Sequence, residues 1–312
     1  MSPFLFAFTG PVVLFFGTLA PGPGLFFGPV LFFGIIPALD SLVSLDKDNE
    51  PKAAWLRWIP VAYVPVQIAA LAFTLWVATT GELPAWQRLM LVVNAGLASS
   101  MGINVAHELM HRPGRLEQHL AEVLMAASSY THFCVEHVQG HHKRIGTYAD
   151  PATSRFGESL WAFLPRSIWG GAVSAWRIEN DKHGWSPRNR ILQYVAAHFV
   201  ICSVVTAWLG PLGLAAFAWQ SVVSFGMLET INYIEHYGLL RPEIAPGRYG
   251  RVLPEHSWNS SHKITNWMLL NLARHSDHHA FAARAFPELR HHEAAPQLPA
   301  SYTAMMLLAA FP

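Results

Sequence analysis

The strongest constraint on this chain is a series of apolar stretches, each near the length that crosses a bilayer. A hydrocarbon core of ~30 Å takes about 20 mostly apolar residues as a helix. Six segments fit by composition: Phe4–Leu19, Leu25–Val43, Ile59–Thr79, Trp86–Ala106, Ile191–Leu209 and Leu212–Ile231. Charged residues are 13% of the 312, about half of the roughly 25% usual in soluble domains. Lipid is therefore the natural partner of these stretches. Backbone groups in lipid must bond within their own segment, which selects helices. The expected fold is all-α: a polytopic membrane protein of six transmembrane helices carrying a helical cytosolic cap.

Punctuation agrees with that division. Pro21-Gly22-Pro23-Gly24 marks a tight turn between the first two spans. The first span is the shortest and is interrupted by Gly10-Pro11. Leu120–Phe133 is apolar but carries Glu122 and His132, so it reads as an amphipathic or partly inserted helix. The start, Met-Ser-Pro-Phe-Leu-Phe, lacks a basic leader and is read as an uncleaved span. No repeat or flexible linker divides the chain, so residues 1–312 read as one membrane-embedded domain. Pro/Gly-rich loops at Leu240–Pro254 and Ala294–Pro299 precede a short apolar tail, Tyr302–Phe311.

Lysine and arginine supply an independent test. Of 21 such residues only Arg88 lies in loop 3–4 with the start of the fourth span, and the hairpin loops 1–2 and 5–6 have none. With both termini cytoplasmic, all the others face the cytosol, as the positive-inside rule requires. A net charge of +1 without a basic block predicts no nucleic-acid partner. Two cysteines, Cys134 and Cys202, give neither a disulfide framework nor a Cys-x-x-Cys site.

On that cytosolic side the histidines are spaced, not scattered. They read His107-x-x-x-His111, His137-x-x-x-His141-His142 and His275-x-x-His278-His279, with His236 alone in Asn-Tyr-Ile-Glu-His-Tyr-Gly. Imidazole is the commonest metal ligand, and residues three or four apart share a helix face. On an α-helix His137 and His141 align, His142 turns about 100° away toward a second ion, and His275, His278 and His279 converge. Nine ligands exceed a zinc site's three or four. Imidazole suits iron and copper equally, and two irons with four or five ligands each would use the set. Glu108, Glu235 and Asp277 each neighbour a proposed ligand and are candidates to accept an imidazole's outward N–H. His132, His256 and His262 fall near the cluster, whereas His119, His183, His198, His291 and His292 read as structural or solvated.

These histidine segments resemble those of the membrane-bound alkane monooxygenases, integral-membrane non-haem di-iron hydroxylases. His107-Glu108-Leu109-Met110-His111-Arg112 is similar to their first histidine box and Glu136-His137-Val138-Gln139-Gly140-His141-His142 to their second. Leu272-Ala273-Arg274-His275-Ser276-Asp277-His278-His279-Ala280 is similar to their third. Asn232-Tyr233-Ile234-Glu235-His236-Tyr237-Gly238-Leu239 resembles the signature separating them from desaturases. Weaker similarity runs through Ile36–Asp40, Arg155–Ser159 and Glu255–Ser260, so the resemblance covers nearly the whole chain. It implies a six-helix domain in a bacterial inner membrane with two irons held by those nine histidines. The implied reaction is O₂-dependent hydroxylation of the terminal methyl of a medium-chain alkane, one oxygen entering the product and the other leaving as water. Its electrons would come from a rubredoxin reduced by an NADH-dependent reductase. Without a Cys-x-x-Cys pair, that rubredoxin is a separate protein. The rival readings are a hydroxylase of methyl-aromatics or terpenes, a desaturase and, more distantly, a histidine-rich metal transporter, whose sites usually lie nearer the midplane.

Overall fold

The computed structural model describes residues 2–50 and 52–311. A 3₁₀ turn (Pro3–Phe8) leads into α1 (Thr9–Leu19). Then follow α2 (Pro23–Leu42), α3 (Trp58–Thr80) and α4 (Ala85–Met110). Next come α5 (Arg115–Ala127), the short helical segment α6 (133–144), α7 (Leu160–His183) and the long α8 (Arg190–His236). A small antiparallel hairpin pairs Glu243–Ala245 with Arg248–Tyr249. It precedes α9 (Lys263–Met268), α10 (His275–Ala280) and α11 (Tyr302–Ala309). Among the described residues, four helices are long and apolar enough to cross a membrane: α2, Ala54–Thr80 (which contains α3), α4 and α8. Pro3–Leu19 is apolar but shorter. These helices make the chain an integral membrane protein.

The fifth and sixth expected spans both lie in α8. Gly210 breaks that helix with φ 68° and ψ −172°, a backbone state open to glycine, and Pro211 follows without an N–H to donate. Distances show that the chain reverses there. Tyr194 donates to Glu122 and Glu229 accepts from Tyr130, so both arms meet one short stretch of chain. A straight helix would separate residues 194 and 229 by ~50 Å. Eight residues of chain span at most ~29 Å.

α4 is the hub, buried on nearly every side from Leu91 to Met110. Small residues allow this. A Cβ on Gly96 would stand 2.5 Å from Val223 Cβ and 2.9 Å from the Gln220 carbonyl, so α4 and α8 touch backbone to side chain. α5 runs back beside α4 and α8 before the chain turns at Ser128–Ser129. The turn's polar groups meet α8: Gln220 donates to the Ala127 carbonyl (2.7 Å), Ser129 pairs with Ser221 and Ser224 bonds Ser128. That turn sits ~24 Å along α8 from His236. Re-entrant backbone at such depth is tolerated only when paired within protein. The outward faces are apolar, as lipid contact requires: Phe16, Phe199, Trp208, Leu212 and Trp219 are exposed.

Two buried ionic anchors tie the cap to the bundle. Asp40, at the end of α2, accepts from the N–H groups of Ile264 and Thr265 and caps α9 from another helix. Arg274, 1% exposed, donates to the carbonyls of Asp46, Asp48 and Leu289. It thereby fixes the start of α10. Arg88, in the first turn of α4, caps α3 by donating to the carbonyls of Ala78, Gly81 and Leu83.

Candidate metal centre

All nine spaced histidines come together at the cap-side ends of α4 and α8, in two groups. His107, His111, His137, His142 and His278 form one; His141, His236, His275 and His279 form the other. Within each group the ligand-type ring nitrogens lie within 4.8 Å of one another. α4 delivers His107 and His111, α8 ends on His236, and α6 and α10 each feed both groups.

The contacts between rings are not those of a hydrogen-bond network. His137 Nε2 stands 2.6 Å from His107 Nε2, 3.1 Å from His111 Nε2 and 3.0 Å from His142 Nε2. An imidazole nitrogen carries one proton or one lone pair and can satisfy one such partner, not three. In the other group His275 Nε2 is 2.6 Å from His279 Nε2 and 3.3 Å from His236 Nε2, while His141 Nε2 is 3.3 Å from His279 Nε2. Metal–imidazole bonds of ~2.1 Å place neighbouring ligand nitrogens roughly 3.0–3.4 Å apart. The donor sets therefore fit a metal ion in each group.

Burial disfavours the charged form of the rings, and ligation requires the neutral form. It pushes the His111 imidazole down to about 4, with help from His141. Burial, then the neighbouring rings, pushes His137, His142, His275, His278 and His279 well below the usual range.

The second box departs from the spacing expected of an α-helix. His137–His141 is a π turn, with i→i+5 bonding in place of i→i+4. The wider turn brings His142, five residues on, back over His137. His141 swings into the other group. Sequence periodicity paired His137 with His141 and sent His142 to the second ion; the structure reverses those assignments. α10 likewise divides its three, with His275 and His279 in one group and His278 in the other.

Of the three carboxylates expected to take the outward N–H of a proposed ligand, none does so. Glu108 binds Arg112 and the Phe286 N–H. Asp277 accepts from Arg284, His292 and the Arg290 N–H, knitting the segment after α10. Glu235 comes closer: its Oε2 lies 3.0 Å from His275 Nε2, the nitrogen that faces the group's centre rather than the outward one. The residue that does take an outward N–H is Asp150, which the sequence analysis missed. Its buried Oδ2 lies 2.9 Å from His141 Nδ1 and accepts from Thr153 Oγ1 at 2.6 Å. Burial alone would lower the His141 imidazole, but the Asp150 carboxylate outweighs it and holds it above the usual range. Nothing in the spacing His141-x₈-Asp150 marks this pair; the one local signal is the Asp150-Pro151 dipeptide, which favours the turn in which the carboxylate also takes the Ala152 N–H.

The other eight histidines stay outside both groups. His132 is half-buried and packs edge-on against Tyr130. His256 and His262 hold local turns through Leu253 and Ser260, His291 bonds Ser261, and His292 bonds Asp277. His119 meets Glu122 at the surface, His198 bonds the Tyr194 carbonyl, and His183 ends α7 in the open.

Residues 84–309 match the family model described as fatty acid desaturase. Alkane 1-monooxygenase 2 of Pseudomonas aeruginosa is 39% identical over 297 residues, covering 90% of this chain and 79% of the relative. Alkane 1-monooxygenase 1 of Alcanivorax borkumensis is 35% identical over 91% of this chain and 74% of its own. The xylene/toluene monooxygenase hydroxylase component XylM of Pseudomonas putida is 30% identical over 68% of this chain and 58% of its own length.

Proposed function

We propose a reaction from one premise: this chain belongs to the alkane 1-monooxygenase family. The reaction is O₂-dependent hydroxylation of the terminal methyl of a medium-chain n-alkane to a 1-alkanol. The observation that carries it is the pair of donor groups, five imidazoles and four, buried except for the half-buried His111 and His142, where apolar helices end. In this reading His107, His111, His137, His142 and His278 hold one iron and His141, His236, His275 and His279 the other. When bound, the two irons supply the redox chemistry with O₂ and the unactivated C–H bond.

The chain's own residues supply position, proton placement and dryness. Asp150 keeps the His141 proton on Nδ1, so Nε2 presents its lone pair to the group's centre. Glu235 sets a carboxylate oxygen beside that centre from the same turn that carries His236. The π turn fixes the division of α6 between the groups. An alkane has no polar handle, so it binds by apolar burial at about 0.8 kcal/mol per CH₂. Electrons reach the cap from a separate rubredoxin, itself served by an NADH-dependent reductase. The chain acts as one domain of six spans in the inner membrane, with both termini and the cap in the cytosol. Support for that count lies in the apolar Pro3–Leu19 helix, three unbroken long helices and the reversal of α8 at Gly210.

Purified protein in lipid should carry about two irons per chain and convert octane to 1-octanol only with O₂ and a reductant. Stoichiometric zinc, or no octanol from iron-loaded protein, would sink the reading. The similarity to XylM favours one alternative, oxidation of a methyl group on an aromatic ring. Competition between octane and m-xylene in one assay separates them, and on our reading octane is consumed first.

A further inference from the structure

An apolar cavity lies beside the second histidine group and has no role so far. It holds about 650 Å³, within the roughly 300–1,000 Å³ of small-ligand sites. Leu160, Ile234, Trp258, Leu298, Met305 and Leu308 form much of its wall. Three observations bear on what it takes. First, the wall is built on the segment that ends in the donors. Ile234 precedes Glu235 and His236, and the Trp258 N–H bonds the Glu235 carbonyl at 2.8 Å. Tyr302, buried in the same apolar cluster, donates its hydroxyl to the Ala273 carbonyl, two residues before His275. Cavity wall and donor group thus share the same stretches of chain.

Second, the outer side is continuous with apolar surface. Residues 298–311 carry no charged side chain. α11 packs against the end of α2 and the last turns of α8. Leu308 and Phe311 are 62% and 75% exposed, and the neighbouring Trp161 is 60% exposed. Such a rim suits the level where lipid meets cytosol. Third, the lining is not uniformly apolar. Glu158, Ser159 and Tyr237 bring polar groups to one side. A pure hydrocarbon has no use for them.

We propose that this cavity binds the hydroxylated product, a linear primary alcohol, on its way from the metal centre to the membrane interface, with the chain against Leu160, Met305 and Leu308 and the hydroxyl toward the polar side. This rests on the hydroxylase reading above. The test uses the full chain in phospholipid nanodiscs with a 1-dodecanol bearing a mid-chain diazirine. Photolabel should map to the peptides containing Leu160, Trp258 and Met305. Excess 1-dodecanol should cut it at least tenfold and dodecane by less than twofold. Met305→Trp, which fills the cavity, should abolish that label and lower steady-state octanol formation several-fold, with a burst of about one product per centre. Label confined to α1–α3, equal competition by dodecane, or slowing without a burst would overturn the proposal. If labelling behaves as stated while octane is not hydroxylated, the function fails and the cavity stands; octane hydroxylation with label elsewhere is the reverse.

Discussion

Asp150→Asn isolates the contribution of one carboxylate to one of two metal sites. The side chain is fully buried, and among its bonds only the one to His141 Nδ1 faces a proposed ligand. Asparagine keeps the shape and still offers a carbonyl oxygen to that N–H. A charged acceptor is worth about 1.5–3 kcal/mol and a neutral one about 1 kcal/mol. The loss is therefore ~0.5–2 kcal/mol, or roughly 2–30-fold in affinity at 1.4 kcal/mol per tenfold. Alanine removes the bond altogether and falls in the 10–100-fold range typical of supports behind metal-bound histidines. The assay is chelator competition on protein stripped and reloaded with Fe(II) or Co(II), which resolves two affinities per chain. Only the site of His141, His236, His275 and His279 should weaken, alanine more than asparagine. Equal weakening of both sites, or none, would refute the division of ligands and the role given to Asp150.

The π turn makes a second prediction: His142→Ala should perturb the five-histidine site and His141→Ala the four-histidine site, resolved by site-specific Mössbauer signals. The opposite pattern would restore the α-helical pairing. Gly96→Ala places a methyl 2.5 Å from Val223 and close to the Gln220 carbonyl, so the α4–α8 contact must open. Overpacking of this kind costs about 1–3 kcal/mol, read as a lower unfolding temperature in nanodiscs; an unchanged temperature would deny the close approach. In metal-free protein the lowered imidazoles, His111 at about 4 among them, stabilise the fold while neutral. That stability is full above pH ~6.5 and is lost as pH falls toward 4. His141, raised by Asp150, contributes in the opposite sense, its share fading as pH rises. The rest outnumber it, so thermal stability of the stripped protein should drop between pH 7.5 and pH 5, and a flat profile would count against these shifts.

What could be read from the residues alone divides along a physical line. Apolar length is a property of each segment by itself, so the long helices fall where composition put them. Even the break between Leu209 and Leu212 was visible, because Gly210-Pro211 carries its own backbone preference. Histidine type and number are also local, and all nine rings meet. What a segment does in response to another was not legible. Leu120–Phe133 has the composition of an amphipathic helix. That its turn at Ser128–Ser129 is buried depends on Gln220, Ser221 and Ser224, some ninety residues away, supplying its polar partners.

The carboxylates show the same limit at finer scale. Glu108 and Asp277 were chosen for adjacency to a ligand, yet on a helix the residue next to a ligand points about 100° away from it. Adjacency therefore selects groups that face away from the rings, and these two meet Arg112 and Arg284 instead. Support for a ring has to come from another turn of chain, as Asp150 does for His141. The π turn adds the complementary point. Sequence spacing fixes which rings share a face only once the helix period is known, and here the i+5 spacing of His137 and His142 becomes the aligned one. A histidine pair four apart followed directly by a third is thus compatible with either division of ligands between two metals. The local winding decides between them, and it is the winding that sets His141 beside Asp150.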